Sequence, residues 1–108
     1  MMELNTKYVF HMPVYKYIEN RLVLIEYDKI LDDLIDQLNK SGFNSLYMAE
    51  VKGYYKSRSF DELLITLFCS SKESPEIIFK KWFIGNNDIL EQESFAYECN
   101  NSMFIEEL

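Results

Sequence analysis

The sequence predicts an α+β fold in which strand, helix, strand, strand, helix and strand follow in order. Together they would form a four-stranded antiparallel sheet with two helices on one face. Three observations carry this expectation. The apolar spacing changes from period two to period 3.6 and back, twice along the chain. The two β-type runs between the helical stretches are joined by a short polar link. The 108 residues, 48% of them hydrophobic, are enough for a single core and too few for two.

Asn5 to Met12 (NTKYVFHM) is short and rich in aromatic and apolar residues, as suits a strand buried on both faces. Pro13 has no backbone N–H to donate, so the strand should end or bulge there. Val14 to Ile18 continues as an extended arm, and Glu19-Asn20-Arg21 reads as a loop. From Tyr27 the period changes: Tyr27, Ile30, Leu31, Leu34, Ile35 and Leu38 form one apolar stripe on a helix. Gly42 supplies the left-handed stop.

Asn44 to Tyr55 alternates, with Leu46, Met48 and Glu50 on one face and Tyr47, Ala49 and Val51 on the other. Ser59 to Cys69 follows, its run Leu63 to Phe68 reading as a central strand. The link Lys56-Ser57-Arg58 makes these two strands a hairpin. Ser74-Pro75-Glu76 is a helix start, with Ser as cap, Pro at the first position and an acid in the first turn. Gly85-Asn86-Asn87 ends that helix. Leu90 to Cys99 is the last strand, and Met103, Phe104 and Ile105 offer an edge strand in the tail.

This layout resembles the ferredoxin-like domains of the small dimeric α/β-barrel proteins. Ile25 to Asp32 (IEYDKILD), Ser59 to Leu63 (SFDEL) and Gln92 to Glu98 (QESFAYE) also resemble an uncharacterised bacterial family of short ferredoxin-like proteins, over about residues 5 to 99. The resemblance implies one ferredoxin-like domain over residues 1–108, paired sheet to sheet. It implies no activity, since dimeric barrels include monooxygenases, decarboxylases, stress-response proteins and regulatory modules. Neither face of the first or third strand is polar enough to stand in water, which independently points to a homodimer.

The formal net charge of −7 repels nucleic acid at long range, so direct nucleic-acid binding is not expected, whereas a basic protein partner is compatible. Met1 to Met12 lacks a basic region followed by a long apolar one, and no apolar run is long enough to span a bilayer. Cys69 and Cys99 form no CxxC pair, so free thiols in a reducing cytoplasm are expected, with no metal and no cofactor.

No nucleophile elbow, HExxH or glycine-rich phosphate loop occurs, and three glycines leave little room for one. His11, the only histidine, is the candidate general base, with Glu62 or Glu93 as its partner if strand register brings them together. Glu26 to Leu38 carries five acids against Lys29, with Asp28, Asp32, Asp33 and Asp36 on the first helix. Lys52 to Arg58 is the one basic-aromatic stretch, presenting Tyr54, Tyr55 and Arg58 for contact.

Two readings follow. In the first, the chain is a non-enzymatic interaction or regulatory module, an acidic inhibitor of a nucleic-acid-handling protein encoded by a mobile element. It would dock through the Asp28–Asp36 array and the Tyr54-Tyr55-Arg58 tip. The absence of a complete catalytic set favours it. In the second, the chain is a small dimeric-barrel enzyme with His11 as base in a pocket between sheet and helices. A pocketless core with an acidic ridge would mark the binder; a buried His11 near Glu62 or Glu93 at a cavity would mark the enzyme.

Overall fold

Thr6–Pro13 (β1) is hydrogen-bonded on both sides, and the rest of the main sheet is built outward from it. The computed structural model describes residues 3–108 apart from the Tyr55 side chain. The remaining elements are β2 (Tyr15–Ile18), β3 (Arg21–Leu24), α1 (Asp28–Lys40), β4 (Leu46–Tyr55), β5 (Arg58–Cys69), α2 (Glu76–Gly85), α3 (Asn87–Leu90), β6 (Ser94–Cys99) and β7 (Ser102–Glu107). The main sheet has five antiparallel strands in the order β4-β5-β1-β6-β7, and β2 pairs with β3 as a separate two-stranded sheet.

The expected four-stranded ferredoxin-like βαββαβ arrangement is therefore wrong: there are five strands in the sheet, a second small sheet and a third helix. Each difference has a local cause. Pro13 is tolerated because it is the last residue of β1, and the arm beyond it does not stay extended. It doubles back at Glu19 and Asn20, whose φ values of 51° and 64° make a tight reversal that suits the twist of a hairpin. Ile25 N–H then donates to Val14 O (2.8 Å) and closes its base.

The tail reverses at Asn100 (φ 53°) and returns beside β6 as β7. Asn100 is fastened to β1 in both directions, its N–H donating to Lys7 O (2.7 Å) and its Oδ1 accepting from Lys7 N–H (2.9 Å). Asn87–Leu90 forms a helical turn where a strand start was expected. The Asn87 side chain bonds both the N–H and the C=O of Gln92, and Leu90 is fully buried. Ser74 makes no side-chain cap: α2 begins at Glu76 with Pro75 at its N-cap position, and Ser74 contributes only its carbonyl, to Ile77 N–H.

Strand alternation sends Tyr8, Phe10 and Met12 of β1, with Leu63, Ile65 and Leu67 of β5, to one face. The helices cover that face. Phe10 stacks on Phe79 of α2 with ring centroids 4.5 Å apart, and Phe79 meets Phe83 and Phe95 edge-on. Leu31, Leu34 and Leu38 are the buried stripe of α1. The indole N–H of Trp82 donates to Ile30 O (2.7 Å), tying α2 to α1.

Leu34 is completely buried at the centre of that stripe. Leu34→Ala is expected to cost about 2–5 kcal/mol of stability, read from urea or thermal denaturation; a loss below about 1 kcal/mol would contradict this packing.

Candidate functional site

The same alternation that buries Phe10 turns His11 to the opposite, helix-free face of the sheet. There His11 lies opposite Leu64 of β5 and Ala96 of β6. Glu62 is two residues before Leu64, and Glu98 is two after Ala96, so each projects from the same face as His11 and flanks it. Glu62 Oε2 lies 2.9 Å from His11 Nδ1, and Glu98 Oε2 lies 2.6 Å from Nε2.

The imidazole is only 14% exposed. Burial by itself would lower its pKa, but hydrogen bonds from both ring nitrogens and the charges of Glu62 and Glu98 outweigh burial and raise it above the usual histidine value. In its protonated form, a ring held between two carboxylates donates on both sides. It has no free lone pair with which to act as a base.

Two clefts of about 730 and 790 Å³ meet at Tyr15, Asp61 and Glu62. The first is strongly acidic: Glu26, Asp28 and Glu50 join Asp61 and Glu62, against Lys29 alone. Tyr27 stands in its wall and donates to Glu50 Oε1 (3.4 Å). Burial, then the Glu50 charge, raises the Tyr27 pKa and keeps the phenol protonated. The second cleft carries Glu91 and Glu93 with Lys16 and Lys52, and is walled by Tyr17 and Phe60. Lys16 is committed to structure, pairing with Glu91 (2.9 Å) and donating to Ile89 O (2.7 Å).

Of the residues singled out from the sequence, His11 and Glu62 are joined directly. Glu93 shares the second cleft with Glu62 and stands apart from the histidine. His11 does not sit between sheet and helices, as expected, because its neighbour Phe10 takes the helix side. Glu98 was missed; counting forward along QESFAYEC from the buried Phe95, three residues on, places it on the far face. Asp28 reaches the first cleft, and Asp32 is exposed. Asp33 accepts from Gln37 (2.8 Å), and Asp36 pairs with Lys40 (2.7 Å), so half of the proposed array is satisfied within α1 itself. Tyr54 is 75% exposed at the β4–β5 tip, Arg58 lines a small hollow there, and the expectation placed on the Tyr55 side chain lies outside the described residues.

Both cysteines are free, and burial, with Glu73 next, pushes the Cys69 thiol up to about 11. It is no activated nucleophile. Among the described residues no group of three His, Cys, Asp or Glu side chains could hold a metal ion, and no helix is long and apolar enough to cross a membrane.

No protein-family model and no curated protein matches the chain. Two solved structures match it along its whole length. One is a phage SAM lyase in complex with S-methyl-5′-thioadenosine, with a TM-score of 0.62 at 13% identity; the other is a phage SAM lyase in the apo state, with a TM-score of 0.52 at 10% identity. Each comparison covers 100% of this chain and 95% of the other. This likeness is of fold. The full-length match to a phage SAM lyase is the finding that goes against reading the chain as a non-enzymatic acidic inhibitor, and it fits the enzymatic alternative better.

The charged cluster makes a pH prediction. Because the native pKa of His11 is raised, its stabilising contribution is full below about pH 6.5, the unfolded value, and fades as pH rises through the native value. Titration of the His11 ring resonances by NMR should give a pKa above 6.5, and Glu62→Gln or Glu98→Gln should each bring it down. A wild-type value at or below 6.5 would contradict the bridged geometry.

Proposed function

We propose that this chain is a small lyase acting on SAM or a closely related sulfonium nucleoside, with Glu62 at the centre of the binding site. The observation that carries the reading is the carboxylate of Glu62, anchored by His11 where two acid-lined clefts meet. The full-length fold likeness to a phage SAM lyase supports it. A sulfonium substrate is a cation with a large organic body, so it calls for carboxylates in a partly dry, aromatic-lined cleft. Tyr15, Tyr27, Asp61 and Glu62 supply that chemistry.

In a lyase reaction that yields S-methyl-5′-thioadenosine, the bond between sulfur and the γ-carbon of the four-carbon amino-acid chain breaks as the carboxylate of that same chain closes on the γ-carbon to form a lactone, so no proton has to be removed. The electron pair returns to sulfur, which becomes a neutral thioether. The chemistry needs no metal or organic cofactor, because the positive sulfur is already a good leaving group. The doubly bonded His11 is a positioning residue in this reading: it aims and holds Glu62 and does not take a proton from substrate. A cytoplasmic location goes with the proposal, since two free cysteines suit a reducing compartment.

The helix-free sheet face remains apolar at its edges. Tyr47, Met103 and Ile105 are 54%, 52% and 70% exposed. We propose that a second copy covers this face, so light scattering at micromolar concentration should report about twice the 12.9 kDa chain mass. A monomer mass would contradict the pairing.

The function is tested by incubating purified protein with SAM and following S-methyl-5′-thioadenosine by liquid chromatography and mass spectrometry. Product should accumulate in proportion to enzyme. Glu62→Gln, nearly isosteric and uncharged, should lower kcat/KM about 30-fold or more, as expected for loss of a desolvated charge contact of about 2 kcal/mol. Absence of product with the wild-type protein would refute the proposal.

A further inference from the structure

We infer that Tyr17 and Phe60 form a stacking site for the purine base of the substrate, with Gly53 serving to set the Phe60 ring in place. The inference rests on the sulfonium-nucleoside reading above and names the part of the site that reads the nucleoside.

The first observation concerns Gly53. It lies directly across the β4–β5 ladder from Phe60, and a Cβ built on it would fall 2.5 Å from both Cε2 and Cζ of the Phe60 ring. The ring therefore rests on bare backbone. Glycine in the interior of a strand weakens it and commonly marks a place where something must approach closely. Here the approaching group is the aromatic ring. With one side against Gly53, Phe60 still keeps 41% of its surface open.

The second observation concerns what that open surface faces. Phe60 and Tyr17 come from different hairpins, β4–β5 and β2–β3, yet both line the second cleft. Together with Arg58 and Ser59 they also line a shallow, open hollow of about 570 Å³ beside it. Tyr17 is 68% exposed. Single exposed aromatics need no explanation. Two that wall one cleft from separate hairpins, one of them pre-oriented by a glycine, are placed for a flat ligand. A purine presents a π-face whatever its substituents, and stacking on protein aromatics contributes about 1–3 kcal/mol per base.

The third observation is register. Phe60 and Glu62 are alternate residues on one face of β5, so about 6.6 Å separates them along the strand. In a sulfonium nucleoside the ribose separates base from sulfur. A base on Phe60 sets the sulfonium toward Glu62, the carboxylate that His11 anchors.

The test uses isothermal titration with two probes. S-methyl-5′-thioadenosine carries the base and no sulfonium; S-methylmethionine carries the sulfonium and amino acid and no base. The variants are Tyr17→Ala, Phe60→Ala and Gly53→Ala, the last leaving both rings present but pushing Phe60 from its seat. Each should weaken thioadenosine binding about 5- to 150-fold, the stacking contribution expressed as an affinity ratio. S-methylmethionine binding should not change.

Equal weakening of both probes, or no weakening of thioadenosine by any variant, overturns the stacking site. The lyase reading is judged separately, by release of thioadenosine from SAM. Turnover by the wild type with variant KM values unchanged removes the stacking site and keeps the lyase. Base-dependent binding without turnover removes the lyase and keeps the stacking site. Failure of the wild type to bind either probe removes both.

Discussion

The two-sided use of β1 is the constraint on which the rest depends. Hydrogen-bonded to β5 on one side and β6 on the other, this strand has no freedom of register, and its alternation assigns every side chain to a face. Phe10 enters the aromatic cluster under α2, and His11 is thereby forced onto the far face, between Glu62 and Glu98. A slip of one residue would bury the imidazole among Phe79 and Phe83 and expose Phe10. The core and the charged cluster are thus two consequences of one register, and the apolar packing guarantees the placement of the polar group.

The cluster answers an electrostatic problem. Glu62 and Glu98 on one sheet face, near buried Val9 and Thr66, would repel each other and lose hydration without a cation between them. A protonated His11 supplies that cation and satisfies one oxygen of each. Glu62 is left fixed in direction while still bordering both clefts. An anchored carboxylate requires less reorganisation when a cationic ligand arrives than a mobile surface one does. The ridge on α1 is a different kind of acidity: Asp33 and Asp36 are answered by Gln37 and Lys40 of the same helix, as on an ordinary solvated face.

Much of the fold was legible because it depends on periodicity. The stripe from Tyr27 to Leu38 located α1, and the alternation from Leu46 onward located β4 and β5. What failed were reversals made without glycine. Glu19-Asn20, Lys56-Ser57 and Asn100 all adopt positive φ, and only the second was read as a hairpin, because its flanking strands were obvious. Missing the other two hid the β2–β3 sheet and left β7 as a mere option, so a five-stranded sheet was read as four. The site was half legible. His11 and Glu62 were both named, but strand pairing alone decides that Glu62 is a neighbour of His11, that Glu93 is not, and that Glu98 completes the cluster. Phe60 and Gly53 lie in stretches the sequence singles out for other reasons, and their part in a site is not legible there, since it lies in a cross-strand contact that no single strand contains.

On the function proposed above, a sulfonium nucleoside binds where the two clefts meet. The most direct measurement is NMR mapping of amide chemical shifts on addition of SAM to isotope-labelled protein. Shifts should concentrate at Tyr15, Asp61 and Glu62 and extend to Tyr17 and Phe60, with the His11 ring resonances moving as well. Shifts spread over the α1 ridge around Asp32 and Asp36, or none at millimolar SAM, would contradict it.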